Sequence, residues 1–247
     1  MVNRIHLIMP MGGRGSRFTR EGFNLPKPLI EIHGHPFFYW ATQSIKKFID
    51  VEKLIFTVLR EHVEHFHLDS KIREYYPNAV IHVIPNVLNG AALTCLEGVT
   101  EITDQKPVVF NDCDHMFRSR AFEHFLSVDF DTSIIGGLLT FASSSPKYSF
   151  LQLNSDGNVT QTVEKIPVSE HAICGCYYFR STADFEAAAK VYLQQCEYQE
   201  FFVSGIYNVM AKQGQIIKAF PTDFHVPFGV PEEYEEAKSS IYFDVLI

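Results

Sequence analysis

The sequence predicts an α/β fold, a largely parallel sheet with helices on both faces. Three observations predict it. Short apolar runs bounded by turn residues recur at residues 4–10 (RIHLIMP), 53–59 (KLIFTVL), 79–84 (AVIHVI) and 107–110 (PVVF). Longer stretches of helical character lie between them. This alternation is the mark of strand–helix–strand crossovers, which set successive strands parallel and bury both their faces.

Each element has its own justification. Residues 4–10 are mostly apolar, and glycines follow at 12 and 13. The run lacks the longer apolar core and small-residue cleavage site of a leader, so it reads as a buried first strand. Residues 36–49 open on proline, which suits a first helical turn, and the aromatic run FFYW at 37–40 reads as helix core. Residues 61–75 form a polar, helix-like stretch, and residues 90–98 start a short helix at a glycine. The second half changes character. Residues 132–141, 150–153 and 174–179 read as strands, and NSDG at 154–157 is a hairpin turn. Helices are expected at 182–196, 199–212 and 231–239. No internal repeat or long linker intervenes, so the second half should extend the same sheet and cover the site.

Composition excludes several classes of partner. Hydrophobic residues make up 46% of the chain, enough for a sizeable core. The 21 basic and 29 acidic side chains give a net charge of −8, which argues against binding a nucleic acid polymer. A small anion could still be held in a local basic pocket. No apolar run approaches the roughly 20 residues that cross a bilayer, so no membrane partner is expected. The five cysteines are odd in number and scattered, which points to a reducing cytoplasm.

In parallel sheets ligands bind at the carboxyl ends of strands. That places the loops at 11–18, 86–92 and 111–115 along one edge. MGGRGSRF (11–18) can wrap peptide N–H groups around phosphate oxygens, with Arg14 and Arg17 adding charge-assisted bonds. It is neither a Walker loop nor a dinucleotide fingerprint, because no GK[ST] follows and the glycine spacing differs. Lys27, stiffened between Pro26 and Pro28, can serve as a fixed point charge. In NDCDHMF (111–117), Asp112 and Asp114 stand two apart at a strand end. A turn there would converge them, and such carboxylates beside a phosphate loop can hold Mg²⁺. Asp114 is the better metal candidate and Asp112 its supporter. Asn86, Asn89 and the backbone near Gly90 are placed to read a base. His115, directly after Asp114, is close enough to touch a ligand. His62, His65 and His67 invite a metal site, but no cysteine or carboxylate set completes it. Cys174 and Cys176 read as buried strand residues.

On GGRGSRF (12–18), PKPLIEIHGHP (26–36), NGAALT (89–94), NDCDHMF (111–117), VEK (163–165) and FGVPEEYEEA (228–237), the chain resembles the sugar-nucleotidyltransferase, or nucleoside-diphosphate-sugar pyrophosphorylase, family. The resemblance covers nearly the whole chain. It is nearest the bacterial branch associated with capsule and lipopolysaccharide synthesis. It implies a Rossmann-like, mostly parallel sheet flanked by helices, with a mixed β extension forming the acceptor side. The expected organisation is a single nucleotidyltransferase domain, with residues 1–128 as the nucleotide-binding half and 129–247 as the acceptor-binding half.

The reaction implied joins a nucleoside triphosphate to a phosphorylated small-molecule acceptor, usually a sugar 1-phosphate, and releases pyrophosphate. No protein nucleophile is needed, so catalysis is positioning and charge neutralisation. Arg17 and Lys27 match the catalytic arginine and lysine, and Asp114 the Mg²⁺ ligand. Met11, Gly12, Gly13, Arg14, Gly15, Ser16, Asn89, Gly90, Ala91 and Asp112 fall on the nucleotide side. Ser149, Glu164 and Lys165 fall on the acceptor side. A dimer is common in the family. Two positions depart from the pattern. Pro227 stands where many members carry a second metal-binding aspartate, and Ser149 where a glycine is common. These departures keep open a cytidylyltransferase for a non-sugar phosphate. The spacing of Asp112 and Asp114 also fits a glycosyltransferase that holds a ready-made nucleotide sugar.

Overall fold

The structure, a computed structural model, describes residues 4–246. In chain order it has β1 (Ile5–Met11), α1 (Ser16–Arg20), β2 (Glu31–Ile32), β3 (His35–Pro36), α2 (Phe37–Lys46), β4 (Val51–Leu59), α3 (Arg60–Phe66), α4 (Leu68–Tyr75), β5 (Val80–Ile84), α5 (Ala91–Val99) and β6 (Val108–Asn111). There follow β7 (His115–Arg118), α6 (Arg120–Ser127), β8 (Ile134–Ala142), β9 (Ser149–Leu153), β10 (Val159–Glu164), β11 (His171–Phe179), α7 (Thr182–Gln195), α8 (Val203–Lys212), β12 (Ile216–Pro221), β13 (Phe224–Pro227), α9 (Pro231–Ala237) and α10 (Phe243–Leu246).

One nine-stranded sheet runs through the molecule. Its first four strands, in the order β5–β4–β1–β6, are parallel. The extension is mixed. β11 pairs antiparallel with β6, β8 and β9, β10 pairs antiparallel with β9, and β12 joins β8 in parallel. The architecture is therefore the α/β fold expected, with its mixed extension. β7 and β13 form a separate antiparallel ribbon that sets His115 opposite Pro227.

Alternation along β1 divides the core. Leu7 and Met9 face α2, α4 and α6, while Ile8 faces α5, α7 and α8. In α2, Phe37, Phe38 and Trp40 are fully buried, and the Trp40 indole N–H donates to Ile32 O at 2.8 Å. A third cluster, including Phe18, Phe37, Trp40 and Phe228, packs the C-terminal helices against α2.

Two helix expectations are corrected. The stretch at 61–75 is two helices, because His67 adopts φ 53 and breaks the ladder between α3 and α4. The helix expected at 199–212 begins only at Val203. Upstream of it, Phe201 N donates to Asn89 O and Phe201 O accepts from Ala92 N, each at 3.0 Å, so this segment is docked on the loop before α5. Strands β7, β10, β12 and β13 and helix α6 were not expected. Among the described residues no helix is long and apolar enough to cross a membrane.

Candidate active site

Two adjoining cavities open where β1 and β6 end, of about 300 and about 230 Å³. Asp112 and Asp114 line both. The larger is walled by the first glycine loop (Met11, Gly12, Gly13, Gly15), by Lys27, and by Gly90, Ala91 and Thr94 at the start of α5. The smaller is walled by Arg17, His115, Lys147, Tyr148, Ser149, His225, Gly229 and Glu233, among others.

The glycine loop has a local reason for its shape. Gly15 caps α1 at φ 65, and a β-carbon there would lie 2.7 Å from Lys27 Cβ. The bare backbone lets the segment carrying Lys27 close onto the loop. The sheet provides the opposite wall. β6 ends at Asn111, and the chain turns through Asp112, Cys113 and Asp114 before β7 starts. That turn brings both carboxylates to the cavities.

Lys27 Nζ donates to Asp114 Oδ2 at 2.8 Å, with only 24% and 27% of the two side chains exposed. Burial alone would lower the Lys27 pKa and raise that of Asp114. Their mutual attraction wins, holding Lys27 above and Asp114 below its ordinary value. Asp112 has no such partner. Burial, with the Asp114 charge added, pushes its carboxyl up to about 7.

Behind them sits a chain of polar groups. Asn111 Nδ2 donates to Ala41 O at 2.9 Å, which leaves Asn111 Oδ1 to accept from His115 Nε2 at 3.0 Å. His115 Nδ1 then accepts from His225 Nε2 at 3.2 Å. Burial lowers the His115 pKa to about 4 and that of His225 well below its ordinary value, so both rings are neutral. His225 Nδ1 is left buried with no partner among the described residues.

The other residues singled out from sequence are placed as follows. Arg17 lines the smaller cavity, not the glycine-loop cavity. Arg14 Nε donates to Glu61 Oε1 at 2.9 Å, and Arg14 lines neither of the two but a separate surface cavity. Ser16 is the exposed first residue of α1. Asn89 turns its amide to Gln199 O at 3.1 Å, and Asn86 is exposed. Ser149 reaches the smaller cavity and also donates to Glu164 Oε2 at 2.7 Å. Glu164, 9% exposed, takes a second short bond from the Ser204 hydroxyl and lines neither cavity. Lys165 lies over the Phe202 ring at 5.5 Å. His62 is buried, and with His65 it borders that separate surface cavity. Cys174 and Cys176 are buried, as expected.

Sequence reasoning missed Lys147, Glu233 and His225 as wall residues. Lys147 sits in a serine-rich loop that reads as solvated. Glu233 is one of several acids in a helix that reads as exposed. Only the pairing of distant segments distinguishes them.

The chain matches the Nucleotidyl transferase family over residues 6–241. No curated protein sequence matches it significantly. Among solved structures, it resembles a nucleoside-diphosphate-sugar pyrophosphorylase from Vibrio cholerae RC9 with a TM-score of 0.81 and 22% identity, over 95% of this chain and 100% of that one. An inositol-1-phosphate CTP transferase from T. maritima aligns with a TM-score of 0.77 and 15% identity, over 98% and 97% of the two chains. A UDP-glucose pyrophosphorylase complexed with UDP-glucose aligns with a TM-score of 0.75 and 16% identity, over 98% and 99%. At these identities the structures speak to the fold, and the family match speaks to the chemistry: the chain belongs to the nucleotidyl transferase family and is a nucleotidyltransferase.

Proposed function

We propose that this enzyme joins a nucleoside triphosphate to a phosphorylated sugar or polyol in the cytoplasm and releases pyrophosphate. The product would supply cell-surface polysaccharide synthesis. The observation that carries this reading is the junction of the two cavities. One has a glycine loop fit for a triphosphate and the other is polar and small. Lys27 and Asp114 meet where they join.

In this reading the loop from Gly12 to Gly15 holds the triphosphate through backbone N–H groups. Lys27 faces the α-phosphate, and Arg17 adds positive charge on the acceptor side. An oxygen of the acceptor phosphate attacks the α-phosphorus. The new P–O bond forms as the α–β bridging P–O bond breaks, and pyrophosphate leaves. The side chains act by alignment and charge.

The residues fit Mg²⁺. Asp112 and Asp114 offer hard carboxylate oxygens where they line both cavities, and Lys27 attracts both carboxylates. Among the described residues no three metal-binding side chains converge into a complete cage. A cation here would use one or two carboxylates and complete its shell with phosphate oxygens and water, as Mg²⁺ commonly does. When bound, it neutralises charge on the phosphate oxygens.

A second reading, cytidylyl transfer to a non-sugar phosphate, draws support from Glu164. Its oxygens are taken by Ser149 and Ser204 and do not face the acceptor cavity. One experiment separates the readings. The protein is incubated with Mg²⁺, each common nucleoside triphosphate and a panel of hexose 1-phosphates, inositol 1-phosphate, glycerol 3-phosphate and phosphocholine, and pyrophosphate is measured. Release with a sugar or polyol phosphate is expected. Release with phosphocholine alone would favour the second reading. No release, together with turnover of a nucleotide sugar, would sink both.

A further inference from the structure

Glu233 stands apart from the other acids of α9. Glu232, Glu235 and Glu236 are exposed, whereas Glu233 is 5% exposed. A carboxylate this buried needs partners, and it has three. Glu233 Oε2 accepts from Gly229 N at 3.1 Å. Glu233 Oε1 accepts from the Tyr148 hydroxyl and from Lys147 Nζ, each at 2.7 Å. These bonds tie α9 to the loop between β8 and β9 and fix an ammonium at the wall of the smaller cavity. Lys147 is still 47% exposed, and an ammonium has three donors. Donors remain for a ligand.

The arrangement continues toward the glycine loop. A β-carbon on Gly229 would lie 2.5 Å from Asp114 Oδ2 and 3.6 Å from Glu233 Oε2, so the two carboxylates flank one glycine. Lys27 holds Asp114 from the glycine-loop side, and Lys147 holds Glu233 from the other. Lys27 lines only the larger cavity and Lys147 only the smaller. Each cavity thus has its own lysine, and each lysine is tethered to a carboxylate. Lys165, the lysine that the resemblance places against the acceptor, lines neither cavity.

We propose that Lys147 binds the phosphate of the acceptor and that Glu233 is its positioning residue. The inference rests on the proposed transfer reaction, in which an anionic acceptor must approach an anionic triphosphate. Lys147 supplies positive charge on the side from which the acceptor enters, and Glu233 keeps the ammonium from folding back into the solvent.

The test is calorimetric binding of the same panel of phosphorylated compounds, with steady-state kinetics on the best substrate pair. Lys147→Ala should weaken binding and raise the acceptor KM by at least tenfold, with the triphosphate KM within twofold of wild type. Lys147→Arg should recover much of the loss. Glu233→Gln should raise the acceptor KM in the same direction. Melting temperatures check that each variant is folded. Unchanged acceptor binding in folded Lys147→Ala would overturn the proposal, as would a wild type that binds none of the panel. A wild type that binds phosphate through Lys147 but releases no pyrophosphate would overturn the reaction and keep the site.

Discussion

At the scale of single residues, the site is a set of charges whose states depend on their neighbours. His115 shows this with a definite sign. It is 2% exposed, and burial holds its pKa near 4 against an ordinary 6.5. The groups facing it are Asp114, which favours the charged ring, and Lys27, which opposes it. His225 and Asn111 bond the neutral form. The unfolded chain takes up a proton below pH 6.5 that the folded chain refuses. The associated stability is therefore complete above pH 6.5 and lost as pH falls toward 4, by an amount on the order of 3 kcal/mol. Denaturant unfolding of metal-free protein across this window should show a steeper loss for wild type than for His115→Gln. Parallel profiles would contradict this account of the ring. Sequence position alone showed that His115 was near the aspartates. It did not show that two other side chains fix its proton.

At the scale of elements, capping and docking set where helices begin. Ser119 starts α6. Its hydroxyl accepts from Phe122 N at 3.2 Å and donates to Pro221 O at 2.8 Å, which ties the helix to the end of β12. Ser119→Ala should destabilise the protein by about 1–2 kcal/mol, read as a lower denaturant midpoint with unchanged slope. A loss below a few tenths of a kcal/mol would mean that water replaces both bonds.

The sequence made β1, β4, β5 and β6 legible because buried parallel strands are apolar throughout and bounded by turns. It left β7 and β13 hidden because each is four residues long and pairs across more than a hundred residues. α8 starts later than its sequence pattern predicts for a related reason. Residues 199–202 have a pattern that a helix could continue, but their backbone groups bond to the loop around Asn89 and Gly90. The glycine loop, Lys27 and the aspartate pair were legible because their residue types are unusual together. Lys147 and Glu233 were not, since a lysine in a loop and a glutamate in a helix are ordinary until the fold joins them.

At the scale of the whole molecule, a single sheet carries both cavities. The parallel half ends in the glycine loop and the aspartate turn. The mixed half, through β9 and β11, and the separate β7–β13 ribbon close the second cavity around the same aspartates. Under the proposed function, two anionic substrates would meet head to head with Lys27 and Asp114 between them. The central claim is that the α-phosphate crosses this junction. It is tested most directly by following label from a nucleoside triphosphate carrying ³²P at the α or the γ position, with Mg²⁺ and the phosphorylated acceptor. The account predicts that α-label enters the acceptor product and γ-label leaves as pyrophosphate. It also predicts that Lys27→Ala slows the transfer roughly 10²–10³-fold. Transfer of γ-label to the acceptor, or α-transfer undiminished in Lys27→Ala, would contradict it.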